Sequence, residues 1–278
     1  MNFQCIQCGM ELGLPLTLQR FTCPSCALGY TGGASYLRCE THAKLLAEFG
    51  EQYLRNRVLN NNADLVYSRV EGGSLSTDNR EDVRAFSGFV GAHARSGTVL
   101  DVGCGPLRLP AYLQHLKAAG AEIIGLDPID SHDFDGFRIV GNSEFMPLPA
   151  ASIDTIIFAT SLDHVVDLGT TLSEARRVIR PGGVLIVWMS DQRRPRWRKL
   201  LSGLRLRWKS LQAGYPLYRY RIYPPNVVVY IPSWAVDPFH CYHENPDDLT
   251  RQMAHAGFRR AVQDYRGRDE VFLCFEAA

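Results

Sequence analysis

Residues 97–109, Gly-Thr-Val-Leu-Asp-Val-Gly-Cys-Gly-Pro-Leu-Arg-Leu, constrain the fold of this chain more than any other stretch. Val99 and Leu100 read as the end of a buried parallel strand, and Gly103 and Gly105 as the sharp turn that leaves it. Pro106 suits the first turn of a following helix, where a missing N–H costs nothing. Glycines there let backbone approach a ligand closely, over a helix N-terminus whose free N–H groups attract a carboxylate or phosphate. Asp101, two residues before Gly103, suits a cationic ligand group such as an α-ammonium better than a pyrophosphate. A nicotinamide-binding G-x-G-x-x-G would need glycine at Arg108, which counts against that reading.

From Thr98 onward strands and helices alternate, which predicts a doubly wound α/β domain with a mostly parallel sheet and right-handed crossovers. Residues 109–119 read as the first crossover helix and residues 122–127 as the second strand. Asp127 stands at that strand's carboxyl end, where a carboxylate can accept from both hydroxyls of a ribose. Residues 154–159 read as the fourth strand, with Ser161-Leu-Asp-His-Val in the loop beyond it. Asn245 caps the last helix, and residues 258–265 and 271–276 form the closing strand pair. Before the domain, residues 41–60 read as a helix capped by Thr41, with Leu45, Leu46, Phe49, Tyr53 and Leu54 at helical spacing. Asp78 is a candidate cap for a second helix carrying Val83, Phe86, Phe89 and Val90. The expected divisions are 1–35, 36–96 and 97–278.

Residues 1–35 carry Cys5-x-x-Cys8 and Cys23-x-x-Cys26. Each pair puts two thiolates on one tight knuckle, and two knuckles close a tetrahedral four-cysteine site for a structural Zn2+. Four thiolates leave no open position, so such a metal supplies folding energy rather than chemistry. The remaining four cysteines are scattered, which suits a reducing compartment. No apolar run approaches the roughly 18 residues of a membrane span. The start lacks the pattern of a signal peptide, and the expected location is cytoplasmic. A net charge of +1 gives no global sign of nucleic-acid or membrane binding.

Asp101-Val-Gly-Cys-Gly resembles the first motif of class I S-adenosylmethionine-dependent methyltransferases, with Leu107 where a third glycine is usual. Residues 141–154, Gly-Asn-Ser-Glu-Phe-Met-Pro-Leu-Pro-Ala-Ala-Ser-Ile-Asp, are similar to the G-D-A-E-x-L-P-F-P-x-x-S-F-D run of the type 11 methyltransferase family. Glu174 through Gly183 resembles the family's E-x-x-R-V-L-K-P-G-G turn, and Ala256-Gly-Phe258 its last helix end. The first 35 residues resemble N-terminal zinc ribbons of some bacterial methyltransferases, including 23S rRNA guanine methyltransferases. The resemblance implies a seven-stranded Rossmann-like sheet with its last strand antiparallel and a helical lid over residues 36–96. It also implies an S-adenosylmethionine site at Asp101, Gly103, Cys104, Gly105, Asp127, Pro128, Asn142, Ser143, Glu144 and Ala159. Asn142 stands where the family has an aspartate accepting from the adenine amino group; its carbonyl oxygen accepts the same bond without charge.

Methyl transfer from a sulfonium requires alignment of the acceptor and, for a protonated nucleophile, a base. Candidate bases are His164 and Asp163 beyond the fourth strand, and His240 and His243 ahead of the last helix. Between Gln192 and Val236 there is no Asp or Glu, against ten basic residues, and tyrosines follow among prolines. Trp197, Leu201, Leu204, Trp208 and Leu211 fall on one helical stripe within that insertion. A basic, aromatic cap at about 191–243 points to an anionic small-molecule or sugar-type acceptor. The zinc ribbon and the same cations make an rRNA or tRNA base the alternative acceptor. Leu107 and Asn142 leave a third reading, a zinc-dependent binding module on an inactive methyltransferase fold.

Overall fold

A computed structural model describes residues 2–70, 80–106, 108–130, 133–191, 208, 220–223, 227–235, 237–266 and 270–278. The N-terminal strands are β1 (Phe3–Gln4), β2 (Glu11–Leu12), β3 (Gln19–Thr22), β4 (Gly29–Gly33) and β5 (Tyr36–Cys39). Helices α1 (His42–Val70) and α2 (Glu81–His93) follow. The alternating part then runs β6 (Thr98–Val102), α3 (Ala111–Ala118), β7 (Glu122–Asp127), β8 (Phe137–Val140), β9 (Ile153–Ala159), a 3-10 turn at Leu162–His164, α4 (Leu168–Val178) and β10 (Ile179–Ser190). The chain closes with β11 (Tyr220–Tyr223), β12 (Val227–Tyr230), α5 (Pro246–His255), β13 (Phe258–Arg266) and β14 (Glu270–Ala277).

Among the described residues one sheet has ten strands, in the order β13-β14-β10-β9-β6-β7-β8-β5-β4-β3. Strand β6 lies at its centre with parallel neighbours β7 and β9, and all five of its residues are buried. Burial on both faces is why this strand reads as an apolar run rather than an alternation. One core layer joins Val83, Phe86, Phe89 and Val90 of α2 to Tyr112 and Leu113 of α3 and to Trp188 and Phe272 of the sheet. The other face packs Leu100, Ile124, Ile156 and Leu185 against Leu172 and Ala175 of α4 and Leu249 and Met253 of α5. Asp167 caps α4 by accepting from the Thr170 N–H at 2.8 Å, and Asn245 caps α5 by accepting from Asp247 and Asp248 at 3.0 Å. Burying these two layers supplies most of the driving force, at about 25 cal/mol per Å² of apolar surface.

Several expectations change. The sheet is not confined to seven strands, because β3, β4 and β5 extend it through the parallel pairing of β5 with β8. Pairing of Gly33 with Tyr36 and of Tyr30 with Cys39 carries one hairpin across residue 35. Strand β8 itself, Phe-Arg-Ile-Val, is too short and too interrupted by charge to stand out in the sequence. Helix α1 runs ten residues past 60, with a break at Gly50 (φ 48°, ψ −119°), a conformation that glycine adopts freely. Pro106 is not in a helix: α3 starts at Ala111, with Pro110 at its cap position. Arg80 occupies the cap of α2 without a side-chain bond, while Asp78 lies outside the described residues. The Trp197–Leu211 stripe is also outside them except for the exposed Trp208. Among the described residues no helix is long and apolar enough to cross a membrane.

Candidate functional site

The sheet order places a reversal of winding at β6, with β7 and β8 on one side and β9 and β10 on the other. The crevice outside the carboxyl ends of these strands is where such folds bind ligands. Gly103 and Gly105 both have positive φ (78° and 62°). A Cβ on Gly103 would stand 2.2 Å from Ser161 Cβ, so only glycine lets the β6 turn lie against the loop after β9. A Cβ on Gly105 would meet nothing within 4 Å, which leaves that side of the turn open.

Asp127 holds the turn: its Oδ2 accepts from Gly105 N and its Oδ1 from Ile129 N, both at 2.8 Å. A carboxylate has about four lone-pair sites, so both oxygens keep capacity for ligand hydroxyls. Pro128 follows, exposed at the rim. Asp101 is fully buried, and the Tyr112 hydroxyl bonds its two oxygens at 3.1 and 3.0 Å. Burial pushes its carboxyl up to about 7, against the pull of Tyr112 and Arg138 and with the help of the neighbouring Asp127. Such a group ionises readily only when a cation sits beside it. Burial also raises Asp127, although Arg138 and the two amides oppose it.

Arg138 was not among the expected site residues. It is almost wholly buried on β8 and donates to Gly105 O at 2.8 Å, Cys104 Sγ at 2.7 Å and Ile129 O at 2.5 Å. One guanidinium therefore ties the β6 turn to the loop after β7, beneath the two acids it partly neutralises. The available signal was a lone arginine between apolar neighbours in Phe137-Arg-Ile-Val. Cys104, buried under that turn, has its thiol pushed far up by burial.

Beyond β8 the chain turns past Asn142, whose Oδ1 accepts from the Thr41 hydroxyl at 3.0 Å. The N-terminal segment thus reaches the position expected to recognise adenine. Ser143 Oγ bonds Thr171 Oγ1 at 3.0 Å, which leaves its N–H as the group relevant to a ligand. One oxygen of the Glu144 carboxylate is committed elsewhere, Oε1 accepting from Val166 N at 2.6 Å, Asp167 N at 3.1 Å and Thr171 Oγ1 at 3.3 Å, while Oε2 is buried without a partner among the described residues. Glu144 therefore braces the loop after β9. Ala159 is buried at the end of β9.

Asp163 and His164 of the loop after β9 meet His240 and His243 of the segment before α5. His164 Nε2 lies 3.8 Å from Asp163 Oδ1, and His240 Nε2 lies 3.6 Å from Asp163 Oδ2. The two imidazoles stand 5.0 Å apart, centroid to centroid. Asp237, a fifth member not foreseen, accepts at Oδ2 from His240 Nδ1 at 3.0 Å and lies 3.5 Å from His243 Nε2. Its Oδ1 accepts from the Phe239 and His240 amides at 2.7 and 2.9 Å. Burial would raise this acid, but those bonds and the His240 charge hold it well below the usual carboxylate range. Burial lowers His164, against the pull of Asp163. Helix α1 clamps the arrangement: buried Asn56 donates to His164 O at 2.7 Å and Cys241 Sγ at 3.3 Å, and Asn60 donates to His164 O at 3.2 Å.

At the N-terminus the four thiols converge, with sulfurs all within 4.8 Å of one another. Cys5–Cys26 and Cys8–Cys23 measure 3.5 and 3.6 Å, close to the edge of about 3.8 Å that tetrahedral zinc–sulfur bonds of about 2.3 Å imply. Burial opposes ionisation of Cys5, yet the Tyr30 hydroxyl and nearby amides bring its thiol down to about 6. The Leu28 amide favours ionisation of Cys26, but burial and the other three sulfurs push it up to about 12. Four such thiolates coexist only around a cation. The basic insertion, by contrast, falls almost wholly outside the described residues.

A family model described as a methyltransferase domain matches residues 75–262, more than half of the chain. The chain is 32% identical over 104 residues to the mitochondrial ubiquinone biosynthesis O-methyltransferase of Homo sapiens, an alignment covering 32% of this chain and 27% of that protein. It is 34% identical over 96 residues to the malonyl-[acyl-carrier protein] O-methyltransferase of Yersinia pestis, covering 32% and 34%. These alignments therefore span only about a third of the relatives' length. Among solved structures, a Burkholderia thailandensis 1,6-didemethyltoxoflavin-N1-methyltransferase with bound 1,6-didemethyltoxoflavin and S-adenosylhomocysteine shares the fold. Its TM-score is 0.53 at 14% identity, covering 82% of this chain and 89% of that one.

Proposed function

The chain belongs to the methyltransferase-domain family, and on that premise we propose that it transfers the methyl group of S-adenosylmethionine to an oxygen of a small-molecule acceptor. The observation that carries this reading is the β6 turn with its two acids. Gly105 leaves the turn open, Asp127 keeps acceptor capacity at the strand end, and buried Asp101 ionises readily only beside a cation. These residues fit an amino-acid nucleoside. Asp127 would accept from the ribose hydroxyls, Asn142 and the Ser143 N–H would flank the adenine, and Asp101 would face the α-ammonium. Bound S-adenosylmethionine supplies a methyl group already activated as a sulfonium. The protein's part is to orient the acceptor, exclude water and remove a proton where the acceptor carries one.

The Asp163, His164, His240 and His243 group meets the last requirement. Asp163 follows Ser161 by two residues, and Ser161 packs against Gly103 of the cofactor turn. Asp237 orients His240 through its Nδ1, which places the lone pair of the neutral ring on Nε2 beside Asp163. An oxygen acceptor agrees with the two relatives named as O-methyltransferases. The acid-free insertion favours an acceptor that carries negative charge. The ribbon supports a small molecule over RNA, because its strands β3 and β4 continue the main sheet through β5 rather than standing as a separate module. A structural Zn2+ held by Cys5, Cys8, Cys23 and Cys26 completes the reading.

The test is product mass. The full chain is incubated with methyl-deuterated S-adenosylmethionine and either a metabolite extract or deproteinised rRNA. Labelled small molecules carrying one methyl on oxygen are expected. Label confined to RNA would move the assignment to nucleic acid, and no label in either would contradict transfer activity.

A further inference from the structure

We propose that Asp163, His164 and His240 bind a divalent transition-metal ion, which receives acceptor oxygens beside the cofactor turn. This deepens the methyl-transfer reading and rests on it for the role, but not for the binding. The ligand atoms of the three residues all lie within 4.8 Å of one another. The two Nε2–carboxylate distances, 3.6 and 3.8 Å, are longer than hydrogen bonds. They are close to the separation of about 3.4 Å between ligands that each lie about 2.1 Å from one tetrahedral ion. The His164 contact is to Asp163 Oδ1 and the His240 contact to Oδ2; neither is a hydrogen bond, and a shared cation would draw all three groups to such a spacing.

The surroundings of each ligand point the same way. Histidines that bind metal almost always donate their other ring N–H to a carboxylate or a backbone carbonyl, which fixes the tautomer and raises basicity. His240 has the first of these at Asp237, whose other oxygen accepts from two backbone amides. Asp163 supplies the anionic ligand, and its Oδ1 is buried with no hydrogen-bond partner. An orphaned carboxylate oxygen between two imidazoles is costly unless a cation completes it. The backbone is fixed as well: Asp163 O accepts from Cys241 N at 2.9 Å, and His164 O accepts from Asn56 and Asn60. Both segments that bring ligands are thereby bolted to each other and to α1.

Two imidazoles and one carboxylate favour Mn2+, Fe2+, Co2+ or Zn2+ over Mg2+ or Ca2+, which prefer oxygen alone. Three protein ligands leave coordination positions for substrate, unlike the four-thiolate cluster at the N-terminus. With its Nε2 on the ion, His240 would no longer act as the base. The cation would orient an acceptor offering one or two oxygens and lower the pKa of the one to be methylated, leaving His243, which is not a ligand, to take the proton. The acceptor class is then a hydroxylated compound with a neighbouring oxygen ligand, such as an enol, a phenol or a hydroxy acid.

The probe is Mn2+, which does not compete for thiolates, added to the full chain with its cysteine site intact. Binding is read from loss of the free-ion electron paramagnetic resonance signal. One Mn2+ per chain is expected in the wild type, with none in His240→Ala or His164→Ala. Asp237→Asn, which removes an orienting carboxylate rather than a ligand, should weaken binding about 10–100-fold. Calorimetry of S-adenosylhomocysteine on the same variants should remain within about twofold of wild type, which shows that they fold. No Mn2+ uptake by a wild-type chain that binds S-adenosylhomocysteine overturns the metal site and leaves the methyltransferase reading standing. Equal Mn2+ uptake by folded His240→Ala also overturns it. Uptake that depends on both histidines in a chain unable to bind S-adenosylhomocysteine supports the metal site and contradicts the function.

Discussion

At the scale of single residues, the two acids of the turn make opposite use of burial. Asp127 is raised by burial but gains two amide donors, so its charge is largely provided for before a ligand arrives. Asp127→Ala removes a charged acceptor from the ligand and should weaken S-adenosylhomocysteine binding by about 1.5–3 kcal/mol, as measured calorimetrically. Asp101 titrates at about 7, well above the ordinary value of 3.8, because burial outweighs its Tyr112 bond. The folded chain therefore holds this proton more tightly than the unfolded chain. Its contribution to stability falls as pH rises from 3.8 to about 7, the reverse of a salt-bridged acid. An α-ammonium beside it restores ionisation. Affinity for S-adenosylhomocysteine should thus rise between about pH 6 and about 7.5, with proton release on binding, and Asp101→Asn should abolish that dependence. Calorimetry in buffers of different ionisation enthalpy measures the proton directly. Both acids were legible in the sequence from their places beside glycines and at a strand end. Arg138 and Asp237 were not, because their roles depend on which distant carbonyls and imidazoles the fold brings to them.

At the scale of elements, the glycine turn and the N-terminal strands matter most. Gly103→Ala would force a Cβ into Ser161 at a positive φ, and should cost about 1–3 kcal/mol of stability together with cofactor affinity. Thermal unfolding compared with Gly105→Ala, where space is open, separates collision from backbone strain. The N-terminal strands are coupled to the same site through β5–β8 pairing, the Thr41–Asn142 bond, the stacked rings of Phe3 and Phe137, and Gln4 N donating to Pro147 O. Cys23→Ser should therefore lower the melting temperature and weaken S-adenosylhomocysteine binding several-fold, instead of loosening an independent module. Unchanged affinity alongside a separately melting N-terminus would show the two to be uncoupled. The cysteine knuckles were legible because their spacing is local. The joining of their strands to the main sheet was not, since β3 to β5 carry little apolar alternation and β5 finds its partner β8 about one hundred residues away. Helix α1 illustrates the same limit: Leu45 and Tyr53 mark its buried face, but Asn56 and Asn60 work only because the His164 carbonyl meets them.

At the scale of the whole molecule, the sheet acts as a platform whose carboxyl ends bring together pieces far apart in sequence. The turn after β6 lines the crevice proposed to hold the cofactor, Thr41 ahead of α1 reaches Asn142 at its side, and the loop after β9 meets the segment before α5 in the imidazole–carboxylate cluster. The order of motifs made this platform readable, because alternating strands and helices dictate winding and hence where the crevice falls. Which side chains face the acceptor was less readable, since two loops separated by more than seventy residues contribute equally. The central claim is that this crevice binds S-adenosylmethionine through Asp101 and Asp127. It is tested most directly by titrating S-adenosylhomocysteine into the wild-type chain and Asp127→Ala by calorimetry at neutral pH. One molecule per chain with a dissociation constant of about 1–100 μM, weakened about tenfold or more by the substitution, is the predicted result. No heat of binding up to about 1 mM, or equal affinity in the two proteins, would contradict it.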